Sequence, residues 1–124
     1  MQTNSIDTSL VNHRGGQISY LLLGRGDFGS QNLAITWVEC PPGSGQPAHR
    51  HDGLEQVYVI TQGRGRMIVG AEEQEVSQGM LVFVPPGTDH AIRNDGADRL
   101  VYVSATSPPF DDLGPNFRWV PRHM

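Results

Sequence analysis

The sequence predicts an all-β fold of antiparallel strands, and three observations carry that prediction. Fifteen Gly and nine Pro lie among its 124 residues. Gly costs ~1 and Pro ~3 kcal/mol in a helix interior, so few windows are left for long helices. Apolar residues alternate or gather in short runs, each broken by turn residues, as strands do. The breaks recur at a spacing of roughly ten residues, which suits an antiparallel sandwich or barrel. A helical bundle is excluded.

The first strand is read at residues 18–23, after a polar leader carrying His13, and it stops at Gly24-Arg25-Gly26-Asp27. A second runs over 33–40 until Pro41-Pro42-Gly43 ends it, because Pro removes a ladder donor. Further strands follow at 56–61, 66–69, 75–76, 81–84, 90–93 and 100–105, separated by Gly63-Arg64-Gly65, Gly70-Ala71, Gly79, Pro86-Gly87 and Asn94-Asp95-Gly96. Residues 71–78 have helix-forming composition, but they span one or two turns between glycines, so a hairpin is expected there. After Ser107 the pattern changes, with Pro108, Pro109, Pro115 and Pro121 punctuating a segment that also holds Phe110, Phe117 and Trp119. Those aromatics argue against a free end. The expectation is one domain over 1–124: a barrel at about 17–106 and a tail, 107–124, lying across the barrel or onto a second subunit.

Charge and composition exclude several functions. Net charge is −4, and all nine basic residues are Arg. Without Lys there is no Schiff-base chemistry and no phosphate loop built on a primary amine. The arginines are scattered from Arg14 to Arg122, and the densest spot, Arg64-Gly65-Arg66, reads as a solvated hairpin. Nucleic-acid binding needs a basic face, which is missing. The longest aliphatic run, Leu21-Leu22-Leu23, falls far short of a membrane span. A single cysteine, Cys40, makes no internal disulfide and reads as a small buried residue. With no basic and apolar leader, the expected location is cytoplasmic.

The chemistry concentrates on histidine. His49 and His51 are two apart, and on a strand both rings would project from one face. His90 follows Pro86-Gly87, an order that favours a type II turn fixing where the ring points. His13, in the leader, and His123, next to the last residue, read as solvated.

The spacing around these histidines is similar to that of a known family. Gly43, five residues, His49-Arg50-His51, an acidic or amide residue and six residues to Gly63 resemble the first motif of the cupins. Gly79, five residues, Pro85-Pro86-Gly87, two residues, His90, three residues and Asn94 match their second motif. The motif core is 43–94, and the fifteen residues between the motifs resemble the spacing in small single-domain cupins of the conserved-barrel type. The resemblance implies a double-stranded β-helix, a jelly-roll-like barrel of two antiparallel sheets. It further implies one divalent metal ion held by His49, His51, His90 and either Glu55 or Gln56. Six residues before Gly63 is the family's spacing, which selects Gln56 and turns Glu55 to the opposite face of its strand. Three imidazoles and one oxygen suit Mn, Fe, Ni, Co, Cu or Zn without choosing among them.

Trp37, Tyr58, Met67, Phe83, Ile92 and Tyr102 are candidates to line the cavity, with plain core packing the competing role for each. No general base is assigned; Tyr58 and Tyr102 are the candidates. The expected function is metal-dependent Lewis-acid catalysis (isomerase, cyclase or lyase type) on a small oxygenated organic molecule. A metal-dependent dioxygenase is the second reading, and a non-enzymatic small-molecule binding or sensing module the third. Residues 104–110 resemble the closing strand of cupins acting on unsaturated uronates. Those relatives carry an acid where this chain has Ser104 and an Arg where it has Phe110, so a more apolar substrate is expected. Edge strands of a two-sheet barrel need cover, which predicts a homodimer.

Overall fold

A computed structural model describes residues 1–110 and 119–121 of the chain. Its strands are β1 (Leu10–Arg14), β2 (Gln17–Leu23), β3 (Ala34–Cys40), β4 (Gly45–His49), β5 (Glu55–Gln62), β6 (Arg64–Val69), β7 (Glu72–Ser77), β8 (Leu81–Val84), β9 (His90–Arg93), β10 (Leu100–Ser107) and β11 (Val120–Pro121). A seven-stranded sheet takes the order β11-β1-β2-β3-β10-β5-β8, and a four-stranded sheet the order β4-β9-β6-β7. All pairings are antiparallel. The one helical element among the described residues is a 3-10 turn at Asp27–Gly29, and no helix is long and apolar enough to cross a membrane.

Three strands lie where none was expected: β1, β4 and the two-residue β11 in the tail. β1 occupies part of the supposed polar leader and pairs with β2 across Gly15-Gly16, both at positive φ. A Gly-Gly pair between strands is a favoured hairpin turn. β4 contains Pro47, which has no ladder donor and is tolerated because β4 is an edge strand. Residues 71–78 form most of a hairpin strand, as expected, since β7 pairs with β6 throughout. Arg64 and Arg66 sit on that hairpin in ion pairs with Glu75 at 3.2 Å and Glu73 at 3.9 Å.

The period-two pleat builds an interior with a polar and an apolar end. Inward residues fall into cross-strand rows: Val84–Gln56–Thr106–Ala34, then Tyr58–Ser104–Thr36, then Ile60–Tyr102–Val38, and finally Leu100–Cys40. The last two rows join Met67, Val76 and Ile92 in the apolar core. Cys40 is fully buried there, with Sγ 3.1 Å from Ser44 Oγ, and burial pushes its thiol up.

Asn94 ties the apolar end together. It is 1% exposed, donates through Nδ2 to the carbonyls of Cys40 (2.9 Å) and Asp98 (2.7 Å), and accepts from the Gly96 amide (3.0 Å). Its backbone bonds both Gly43 and Ser44 at 2.8 Å, so it joins the ends of β3, β9 and β10 to the start of β4.

The tail is read at residues 107–110 and 119–121. Arg25 Nη2 donates to the Pro109 carbonyl at 3.0 Å, Phe110 stacks on Trp119 at 6.4 Å, and β11 pairs with β1. These residues return onto their own chain. Phe117, Pro115 and His123 lie outside the described residues.

Candidate metal centre

The site forms where β4 and β9 meet the mouth of β5. His49 is the last residue of β4 and pairs in register with His90, the first residue of β9. Their ring centroids are 4.1 Å apart. His51 lies just past β4 rather than on it, and its carbonyl accepts from the Gly87 amide at 3.0 Å. Gly87 has φ +70°, the left-handed value that the Pro86-Gly87 turn requires. The turn thus fixes both His90 behind it and His51 across from it. The His51 ring lies 5.0 Å from that of His49 and 5.6 Å from that of His90. One nitrogen from each of the three rings lies within 4.8 Å of the others, close enough to share an ion.

The hydrogen bonds orient the rings for that purpose. His49 Nδ1 donates to the Pro47 carbonyl at 2.8 Å, and His90 Nδ1 to the Thr88 carbonyl at 2.9 Å. These bonds select the tautomer in which Nε2 carries a lone pair. Both Nε2 atoms are buried without a hydrogen-bond partner, as is Gln56 Oε1. Gln56 is 8% exposed, and its Nε2 donates to Ser104 Oγ at 2.6 Å, which leaves the carbonyl oxygen as the end available to a ligand. Buried polar atoms are nearly always paired, so the two orphaned imidazole nitrogens of the histidine cluster fit a divalent ion, and the orphaned Gln56 Oε1 is a further acceptor without a partner.

Electrostatics point the same way. Burial pushes His49 down from 6.5 to about 4; the charges of His90, His51 and Arg14 add to that, while the Pro47 carbonyl opposes it. Burial likewise lowers His51 and His90. Neutral imidazoles are the form that ligates a metal.

The centre opens on a cavity of about 50 Å³ lined by His51, Gln56, Tyr58, Tyr102, Phe110 and Trp119, together with Gln17, Ser19, Thr36, Gln46 and Ser104. That volume holds roughly three to five water-sized groups. The Tyr58 and Tyr102 rings meet at a 33° tilt with centroids 5.1 Å apart; Tyr58 donates to Gln46 Oε1 at 3.3 Å and Tyr102 to Gln17 Oε1 at 3.2 Å. Burial pushes both phenols well up, so at neutral pH they are donors and not bases.

Of the other expected cavity residues, Met67 and Ile92 pack in the apolar core instead. Trp37 and Phe83 face outward: Trp37 Nε1 reaches Glu39 Oε2 at 3.2 Å, and Phe83 is 49% exposed. Each is one position off the inward phase of its strand, which Thr36 and Val84 hold. The lining is also more polar than expected, through Gln17, Ser19, Thr36, Gln46 and Ser104. The signal for Thr36 and Ser104 was present in the sequence, as polar breaks in the alternating apolar faces of β3 and β10. Glu55 is exposed, and His13 is exposed on β1.

Residues 36–106 match the cupin domain family. The chain belongs to the cupins. An uncharacterized protein of Methanocaldococcus jannaschii is 38% identical over 80 residues, which are 64% of this chain and 62% of that protein. The oxalate-binding protein of Thermotoga maritima is 28% identical over 67 residues, 54% of this chain and 55% of that protein. The chain therefore spans less than two thirds of either relative's length. Among solved cupin-like structures, a predicted oxalate decarboxylase of Thermotoga maritima superposes with TM-score 0.78 at 21% identity, covering 87% of this chain and 99% of that one. KdgF from Halomonas sp. superposes with TM-score 0.70 at 18% identity, covering 92% and 94%. Both likenesses concern the cupin fold.

Proposed function

We propose that this cupin holds one divalent transition-metal ion through His49, His51, His90 and Gln56, and uses it as a Lewis acid on a small oxygenated organic molecule. The observation that carries the reading is the set of buried, unpartnered acceptors, His49 Nε2, His90 Nε2 and Gln56 Oε1. A bound ion would polarise a coordinating oxygen of the substrate and lower the cost of charge developing there. The chain's own groups hold the arrangement. The Pro47 and Thr88 carbonyls lock two imidazole tautomers, Ser104 locks the Gln56 amide, and the stacked rings of Phe110 and Trp119 present apolar surface to the cavity. Tyr58 and Tyr102 remain protonated and orient Gln46 and Gln17.

The experiment is turnover of small hydroxy-carbonyl and carboxylate compounds by metal-loaded protein, with oxygen monitored. Turnover under anaerobic conditions is the expected result. Turnover that consumes oxygen stoichiometrically assigns the site to a dioxygenase, and binding without turnover assigns it to a binding module.

A homodimer is part of the proposal. Two cross-strand rows on the outer face of the large sheet, Tyr20–Trp37–Val103–Val59–Leu81 and Ile35–Ala105–Val57–Phe83, are apolar throughout. Leu81 and Phe83 are 59% and 49% exposed on β8, an edge strand. A second copy would cover both the face and the edge. A species of 13.6 kDa at micromolar concentration in sedimentation equilibrium would rule this out.

A further inference from the structure

We propose that the outer face of the small sheet is a second ligand site, separate from the histidine cluster, and that it takes a phosphate monoester with a flat apolar body. A groove of about 570 Å³ lies there, floored by Pro47 and Ala48 of β4, Ile68 of β6 and Ala91 of β9. That volume falls within the range of small-molecule sites, about 300–1,000 Å³. The pleat separates the groove from the metal centre. Along β9 the His90 and Ile92 side chains are buried in the barrel, while Ala91 and Arg93 alternate to the outside. Gly45 lets β4 lie close against β9, since a Cβ there would run into the Ile92 carbonyl and the Arg93 Cα.

One wall of the groove carries the charge. Arg66 of β6 and Arg93 of β9 are direct cross-strand partners, an arrangement that costs stability when the charges are alike. Carboxylates offset that cost from a distance. Asp95 Oδ2 lies 3.8 Å from Arg66 Nε and 4.0 Å from Arg93 Nε, and Glu73 Oε2 lies 3.9 Å from Arg66 Nη1. These are ion pairs too long to be hydrogen bonds, so both guanidiniums keep N–H groups to offer a ligand. The charged residues lining the groove, among those described, are Arg66, Arg93 and Asp95, a local excess of positive charge in a chain of net charge −4. Two adjacent guanidiniums suit a phosphate better than a carboxylate. Each presents a fork of N–H donors, and a monoester has three terminal oxygens and up to two charges to receive both forks. The rest of the ester then lies over Ala91, Ala48 and Pro47, whose small apolar side chains leave room for a ring.

The test titrates metal-free protein calorimetrically with phenyl phosphate, inorganic phosphate and benzyl alcohol, for wild type, Arg66→Gln, Arg93→Gln and Arg99→Gln. Each groove substitution removes a like-charge pair, so folding is retained. Arg99, paired with Glu39 on the large sheet at 3.5 Å, is the charge-matched control. Wild type is expected to bind phenyl phosphate with a Kd below about 1 mM. Inorganic phosphate, which leaves the apolar floor bare, should bind about fivefold or more weakly, and neutral benzyl alcohol more weakly still. Arg66→Gln and Arg93→Gln should each weaken phenyl phosphate about fivefold or more, and Arg99→Gln less than about twofold. A wild-type Kd above about 1 mM overturns the inference. So does unchanged affinity in both groove variants, an equal loss in Arg99→Gln, or inorganic phosphate binding as tightly as phenyl phosphate. Because the protein carries no ion in these titrations, each outcome leaves the metal reading untouched.

Discussion

Replacing Ser104 by Ala tests whether the Gln56 amide is held as a ligand or merely packed. The Ser104 hydroxyl is the acceptor for Gln56 Nε2 at 2.6 Å, and the two residues are 4% and 8% exposed. Removing it leaves a buried N–H donor unsatisfied, at a cost of about 1–3 kcal/mol. The amide then loses the bond that aims Oε1, and loss of such a supporting contact typically lowers metal affinity about 10–100-fold. Urea unfolding of metal-free protein measures the first effect, and calorimetric titration with Mn²⁺ the second. Ser104→Thr keeps the hydroxyl and should retain affinity within about threefold. If Ser104→Ala loses about 1–3 kcal/mol of stability yet binds Mn²⁺ within about twofold of wild type, the hydroxyl is structural only. Gln56 would then not be a ligand.

Gln56→Ala should lower Mn²⁺ affinity by about 10-fold or more, while Glu55→Ala leaves it unchanged; the reverse order in calorimetric titrations would reassign the fourth ligand. Asn94→Ala removes three hydrogen bonds, one buried and two part-buried, for an expected loss of about 2–4 kcal/mol in urea unfolding. A loss below about 1 kcal/mol would show that Asn94 is not what joins these strand ends. Stability of the metal-free protein should depend on pH through His49, whose value falls from 6.5 in the unfolded chain to about 4 when folded. Between those values the unfolded chain binds more protons. The contribution is therefore fully present above pH 6.5 and is lost as pH falls toward about 4. Screening of a partly exposed ring limits it to about 1–2 kcal/mol, with His51 and His90 shifted in the same direction. Urea midpoints at pH 7, 5.5 and 4.5 would check it, and a flat profile would contradict it.

Much of the fold was legible because turn residues punctuate the apolar runs, and because the two His motifs place β5, β8 and β9 together. What the sequence left hidden are strands held by their partners more than by their own propensity. β1 carries exposed His13 and Arg14, and β4 carries Gly45 and Pro47, so neither shows strand composition. Trp37 and Phe83 show a second limit. Period two fixes which residues share a face but not which face is inside, and large aromatics are poor guides to that choice. Gln56 is the better anchor: with it inward, Tyr58 and Ile60 follow, and Val57, paired with Phe83, must face out. The Tyr–Gln pairs of the cavity join residues 12 and 85 positions apart, contacts that no local pattern encodes.

The central claim is that three imidazoles and one amide hold a metal ion, and elemental analysis tests it most directly. Purified protein equilibrated in turn with Mn, Fe, Co, Ni, Cu and Zn salts, then dialysed, is compared with His90→Ala treated identically. His90 is 1% exposed and offers an unpartnered Nε2, so its removal should take away one ligand and nothing catalytic elsewhere. The account predicts close to one ion per chain in wild type for at least one of these metals, and far less than one in His90→Ala. Wild-type protein that retains none of them, or His90→Ala protein that retains as much as wild type, would contradict it.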